Sequence, residues 1–380
     1  MRINVSRMAA GAAIVGREPH LPLSFADGDQ LGCSAAVAGA FGYVGVCGHT
    51  PSSGRTHTGA VVRFRLAQSA SADDTVVVMA PDGSADARFG SALATTSHYL
   101  LVGAEGQAGS TSLWHGAAYV FTHVAVDGPP RFTHKLSALD GRPHAHFGCA
   151  VAIHADRAVV GARGPDAYPA GTITPQSNGA AYVFDLATGV QLAKLAPLAD
   201  TVARVPKLYC FHFGAAVAID ATTIIVGAPR AKAPCTRAGA GSGAAFAFAN
   251  ASPSTEFNQT ARVLPDDAQR EAAFGASVGI VTAANGRGTL LLLGAPGANA
   301  DRGALCTPSK AHTAHIRPRA HMHSYSNRGH APRKLELCCY PSRPASLCAP
   351  TAQLHAMPRH TARSLSTEPA IPLVSRPLRC

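Results

Sequence analysis

Five short anchors recur along the chain, Leu31-Gly32, Phe89-Gly90, Phe147-Gly148, Phe213-Gly214 and Phe274-Gly275, at intervals of 58, 58, 66 and 61 residues. A period of this length constrains the fold more tightly than any local propensity. Each copy is one supersecondary unit that cannot bury its apolar face alone, so the copies must stack. Each anchor opens an alternating run of small residues: Cys33 to Ala38, Ser91 to Ala94, Cys149 to Ala152, Ala215 to Ala218 and Ala276 to Gly279.

Two further signals keep step with the anchors. An apolar run ending in glycine follows at a spacing of 14 residues, as Leu100 to Ala104, Ala158 to Ala162 and Ile224 to Ala228; the first copy keeps it as Val44-Gly45 and the fifth delays it to Leu291 to Ala295. A third run begins 27 to 32 residues from the anchor, as Gly59 to Phe64, Gly116 to Phe121, Gly179 to Phe184 and Gly243 to Phe248, and the fifth copy stops after Gly303-Ala304-Leu305. A fourth run with an acidic turn separates the units, as in His134 to Gly141 and Ala261 to Asp267. Four short runs rich in β-branched and aromatic residues, punctuated by Gly, Pro, Asp or Asn, describe an antiparallel meander.

The fold class expected is therefore all-β, a β-propeller of about five visible four-stranded blades. Radial stacking buries both sheet faces and leaves only short edges. Small residues suit a first strand crowded at the axis, and Phe or Tyr in the third strand fill the wider gap outside it. A β-solenoid is the competing architecture, but its coils are usually shorter than this unit.

The repeats resemble the FG-GAP family, whose unit carries Phe-Gly, a Val-Val-Gly-Ala-Pro-like segment and a Gly-Ala-Tyr-Val-Phe-like strand, and which builds the seven-bladed head of integrin alpha chains. Phe213-Gly214, Gly227-Ala228-Pro229 and Gly243 to Phe246 form the fullest match, and Gly294-Ala295-Pro296 keeps the second motif. The resemblance implies a non-catalytic binding scaffold for protein or glycan recognition or adhesion. Family members often carry an Asp-rich calcium loop between the second and third strands, because calcium takes six to eight oxygen ligands. Here those loops hold only Glu105, Asp166 and Asp301 as acidic residues, so no cofactor and no integrin-type calcium site are expected. The blade count also departs from seven. Either Leu21 to Gly28, which aligns with the fourth run and acidic turn, closes a five-bladed ring, or the visible units are what remains of a larger, seven-bladed one.

Composition marks the end of the repeats. Of 37 glycines only Gly329 follows Cys306, and of the formal charge of +11 the last 75 residues carry +9. That segment holds ten prolines and seven histidines and shows no periodicity, which leaves it little means to offset ordering entropy. The expected organisation is an N-terminal segment at 1–19 with a thin targeting-peptide pattern, a propeller at 20–305 and a disordered basic tail at 306–380. A shifted reading frame or retained intron would give the same tail. Its sparse aromatics, Tyr325 and Tyr340, make poor base-stacking platforms, so no nucleic-acid partner is expected.

Site residues are less marked. Function in a propeller scaffold is expected in the variable loops after the second strands, where Trp114, Tyr168 and Arg230 are contact candidates. Trp114, the only tryptophan, serves packing equally well. No catalytic residue is assigned, because the chain has no nucleophile elbow, zinc-protease helix or phosphate loop; a rim hydrolase is the alternative function, since propellers accept grafted active sites. His144-Ala-His146 and His321-Met-His323 have a spacing metals use, but no third ligand is evident, so no metal site is assigned. Cys33 and Cys149 share a repeat position and are expected to pack as small apolar residues, whereas Cys47, Cys210 and Cys235 are available for loop disulfides after export. Asn250 and Asn258 fit the glycosylation acceptor pattern. No run approaches the ~18 apolar residues of a membrane span. The protein is expected to be a monomer, extracellular or in the secretory pathway, with a protein or glycan ligand.

Overall fold

The computed structural model describes residues 26–66, 75–109, 114–123, 128–164, 178–197, 212–231, 241–250, 256–265, 271–282, 289–298, 304–306 and 336–339. Every named element within them is a β-strand. Blade 1 is β1 (Leu31–Ala38), β2 (Phe41–Val46), β3 (Ala60–Arg65) and β4 (Val76–Val78). Blade 2 is β5 (Phe89–Thr95), β6 (Tyr99–Ala104), β7 (Ala117–Thr122) and β8 (Arg131–Leu136). Blade 3 is β9 (Phe147–His154), β10 (Arg157–Ala162), β11 (Ala180–Asp185) and β12 (Gln191–Leu195). Blade 4 is β13 (Ala216–Ile219), β14 (Thr223–Ala228), β15 (Ala244–Asn250) and β16 (Phe257–Pro265), and blade 5 is β17 (Ser277–Thr282), β18 (Thr289–Ala295) and β19 (Ala304–Cys306).

Each sheet is an antiparallel meander in chain order. Successive first strands lie side by side, β1 with β5, β5 with β9, β9 with β13 and β13 with β17, which puts them innermost about a common axis. The fold is thus an all-β, five-bladed propeller. In blade 5 a fourth strand is not among the described residues, and the Leu21 to Phe25 part of the expected closing strand lies outside them. Of the tail, Glu336–Cys339 forms β20 and pairs in parallel with β16 at the outer edge of blade 4; the rest of 307–380 lies outside the described residues.

The core is a series of layers between blades rather than one central mass. Buried Leu101, Ala118, Val120 and Leu136 of blade 2 pack against Phe147, Val160 and Tyr182 of blade 3, and the other junctions repeat this arrangement. Alternation in the second strand serves both faces, since side chains of period two point to opposite layers. The anchor phenylalanine is the centre of each layer. Phe213 lies 5.4 Å from the Phe246 ring and 6.0 Å from Phe248, both edge-on, and Phe89 and Phe147 hold the equivalent places against Tyr119 and Phe121 and against Tyr182 and Phe184. Such aromatic pairs add about 0.5–1.5 kcal/mol to area burial.

Near the axis the blades meet backbone to backbone. A Cβ added at Gly45, Gly103, Gly161 or Gly227 would sit 2.1, 2.0, 2.0 or 2.0 Å from the carbonyl oxygen of the next anchor glycine, Gly90, Gly148, Gly214 or Gly275. Four bridges, Gly59 to Phe89, Gly116 to Phe147, Gly179 to Phe213 and Gly243 to Phe274, join each third strand's leading glycine to the following anchor.

A polar latch closes two junctions farther out. Asp82, in the acidic turn after blade 1, accepts a hydrogen bond from the Tyr119 hydroxyl at 2.7 Å and pairs with Lys135 of blade 2. Asp140 does the same with Tyr182, at 2.9 Å, and Lys194 of blade 3. Burial works to raise the Asp82 and Asp140 carboxyls, but hydrogen bonds from the lysine and tyrosine, with the lysine charge, outweigh it and hold both below the usual range. Burial first, then the Asp partner, pushes both tyrosine hydroxyls well above their ordinary value. In blade 4 the tyrosine position is Phe246, and Arg262 lies 5.7 Å over its ring.

Cys33 departs from its expected role. It is disulfide-bonded to Cys47, across β1 and the end of β2, whereas Cys149 at the same repeat position is free. The reason lies on the facing strand, where the place of Cys47 is taken in blade 3 by Arg163. Burial pushes the Cys149 thiol up to about 12.

Candidate functional site

The loops that join second to third strands, and fourth strands to the next anchor, gather at one end of the blades. Their geometry repeats. The residue before each anchor is left-handed without being glycine: Gln30 (φ 56°), Arg88 (55°), His146 (52°), His212 (50°) and Ala273 (52°). Two residues earlier the same conformation recurs at Asp86 (56°), His144 (57°) and Glu271 (61°). This conformation costs an L-residue about 1–2 kcal/mol. It persists because hydrogen bonds fix the chain on both sides. Each anchor phenylalanine donates its N–H to the preceding blade, as Phe89 to Thr58 (2.9 Å) and Phe147 to His115 (3.1 Å), while the carbonyl of the residue between the two left-handed positions accepts from a glycine after the second strand, as Ala87 from Gly106 (3.1 Å) and Ala145 from Gly164 (3.0 Å).

Between blades 1, 2 and 3 this end opens into a cavity of about 360 Å³ lined by Gln30, Cys47, Gly48, His57, Asp86, Arg88, Glu105, Gly106, Trp114 and His146. Its charges are internally matched. Arg88 approaches Glu105 at 3.0 Å, Arg163 approaches the other Glu105 oxygen at 3.5 Å, and His146 Nδ1 lies 3.8 Å from it. Two residues before Arg88, Asp86 lies 3.0 Å from His57 Nδ1. Trp114 stands at the lip, 46% exposed, its ring 6.0 Å from His144 and 5.9 Å from His146 in edge-on and tilted contacts. The Trp114 backbone bridges to Ala108, whose N–H is bound by the Ser84 hydroxyl at 3.0 Å, and Gly116 donates to Gln107 at 3.0 Å.

Of the contact candidates, only Trp114 lines this cavity. Arg230 is exposed after β14 and sits 3.4 Å from His212 in blade 4, and Tyr168 lies outside the described residues. His144 and His146 flank the indole; His321 and His323 lie outside the described residues. Asn258 is exposed on β16 and Asn250 ends β15. Glu105 is engaged in ion pairs, and Asp166 and Asp301 lie outside the described residues. Among the described residues no group of three or more His, Cys, Asp or Glu side chains is placed to hold a metal ion. Sequence reasoning missed Arg88, Asp86, His57 and Gln30. Their signal was position alone, one or three residues before an anchor or just before a third strand.

A family model described as FG-GAP repeat matches residues 72–121, 131–184 and 212–248. Among curated proteins none matches the chain. The first two matches run from β4 to β7 and from β8 to β11, so these units are offset by one strand from the sheets they help to build and straddle a junction between blades, whereas the third covers β13 to β15 within blade 4. Five anchors in register, three matched units and five sheets about one axis make this chain a β-propeller that carries FG-GAP repeats.

Proposed function

We propose that this propeller is a non-catalytic binding scaffold that takes a protein or glycan ligand at the loop end of blades 1 to 3. The observation that carries the reading is the 360 Å³ cavity with an exposed tryptophan at its lip, a size within the range of ligand sites. Among the described residues its lining contains no serine, threonine or lysine, its one cysteine is tied to Cys33, and its two carboxylates, Asp86 and Glu105, are each held by a basic partner, which supports binding over nucleophilic attack. The Cys33–Cys47 disulfide also favours an oxidising compartment, and with it an extracellular or secretory location. No helix among the described residues is long and apolar enough to cross a membrane.

The test uses the purified full-length chain on arrays of glycans and of extracellular protein domains, alongside a panel of hydrolase substrates. Saturable capture of an array member, weakened by Arg88→Gln, supports the scaffold. Turnover of any panel substrate, abolished by the same substitution, overturns it in favour of a rim hydrolase.

A further inference from the structure

Resting on that reading, we propose that the cavity is a seat for an uncharged saccharide: a pyranose ring lies with its C–H face on Trp114 and its hydroxyls among Asp86, Arg88 and Gln30. Three observations lead there. The first is the state of the indole. Tryptophan is the largest apolar side chain, yet Trp114 keeps nearly half its surface open, and neither His144 nor His146 lies flat on it. An open aromatic plate is suited to a ligand that is itself flat and apolar on one face.

The second is what surrounds the plate. Protein hot spots bury their aromatic anchors in desolvated, well-packed pockets. Here the walls add polar groups to an apolar surface: Gln30 offers both donors and acceptors, Asp86 only acceptors, and Arg88 only donors beyond its contact with Glu105. A sugar ring presents this combination in reverse, with hydroxyls that donate and accept around its rim and aliphatic hydrogens on its face.

The third is charge. Arg88 and Arg163 balance Asp86 and Glu105, with Glu105 held between the two guanidinium groups. A sulfated or uronic ligand would have to enter beside two carboxylates, and a cationic one beside the Arg88 guanidinium, with Arg163 behind Glu105. An uncharged ring meets neither penalty, which selects hexoses and N-acetylhexosamines over polyanions. The walls are also set before the ligand arrives. The left-handed backbone at Asp86, Arg88 and His146 is fixed by the anchor hydrogen bonds, and that at Gln30 by the bond from Gly48 to the Asp29 carbonyl, so little ordering entropy is lost on binding.

The single tryptophan makes the test direct, because all indole emission from the full chain reports on this lip. The protein is screened on an array of neutral, N-acetylated, uronic and sulfated oligosaccharides. The strongest neutral binder is then titrated while Trp114 emission and its quenching by acrylamide are followed. The expected result is a saturable shift in emission with protection from acrylamide. Binding on the array should fall about tenfold or more in Trp114→Ala and change little in Trp114→Tyr, with intermediate losses in Asp86→Asn and Arg88→Gln. Because Trp114 is exposed, both variants are expected to keep the wild-type melting temperature, which is measured in parallel. Retention of only charged glycans overturns the inference. So does a neutral glycan that leaves Trp114 emission and the Trp114→Ala affinity unmoved, or capture of a protein domain and no glycan; in each of these the scaffold reading stands. Cleavage of the bound glycan overturns the scaffold reading as well.

Discussion

The four junctions inside the blade series and the flanks at its two ends are written in the same repeat but are packed differently. Inside, the second-strand glycine meets the next blade's backbone at a distance that admits no Cβ, and the anchor rings are at most 1% exposed. At the ends this complementarity is missing among the described residues. The equivalent glycine of blade 5, Gly294, faces the Ser277 hydroxyl of its own sheet, and the first anchor glycine, Gly32, has nothing within 4 Å of where a Cβ would point. Leu31 is 47% exposed in the place where the other blades bury phenylalanine. Val37, Val281 and Leu290 are exposed on the same two blades, although Val46, Ala60 and Val62 still form a small buried cluster in blade 1. The lesson is that a repeat residue means one thing where a neighbour presses on it and another where none does.

The contrast can be broken by substitution. Replacing Phe213 with alanine empties the centre of an interblade layer and should cost about 3–5 kcal/mol, whereas Leu31→Ala should cost less than about 1 kcal/mol. Equal shifts in urea midpoints would mean that the first blade is as well covered as the fourth. Gly161→Ala is expected to cost about 2–3 kcal/mol, because the obstacle is the Gly214 carbonyl and backbone cannot turn aside. Gly294→Ala, opposed by a rotatable hydroxyl, should fall below about 1 kcal/mol in the same denaturation series.

The polar latch sharpens the comparison between one internal junction and another. Tyr182→Phe removes the hydroxyl bound to Asp140 and imitates what blade 4 has at Phe246; a loss of about 1 kcal/mol is expected by chemical denaturation. A change too small to measure would show that the apolar layer alone sets junction strength. The smallest effect is on acid stability. Asp82 and Asp140 have folded pKa values below the ordinary 3.8, so the unfolded chain binds protons first as pH falls. Their contribution is complete above the unfolded value and is lost on descending through the folded one. Melting temperatures measured from pH 6 down to pH 2 should decline less in Asp82→Asn/Asp140→Asn than in the parent, and parallel curves would remove the latch from the account.

The frame was legible because it is stated five times. A single Phe-Gly carries no information, but five in register with two more motifs identify the strands, the axis and the interblade aromatics. Contacts that cross a junction were harder to read. Asp82, Tyr119 and Lys135 look unrelated in one copy, and only the 58-residue offset to Asp140 reveals the latch. Cys33 was read from its match with Cys149 rather than from its hairpin partner, which hid the disulfide. The cavity was least legible of all. Loops lack periodicity, and nothing in arginine, histidine or glutamine announces a left-handed backbone, so Arg88, His146 and Gln30 were invisible as a set although Trp114 was not.

That left-handed position has a practical consequence. Because arginine, histidine and alanine all occupy it before a phenylalanine whose N–H is bound to the preceding blade, the clamp rather than the side chain pays for the conformation. These four places act as interchangeable sockets, and randomising Arg88, His146, His212 and Ala273 together would give a library of recognition surfaces on one unaltered skeleton.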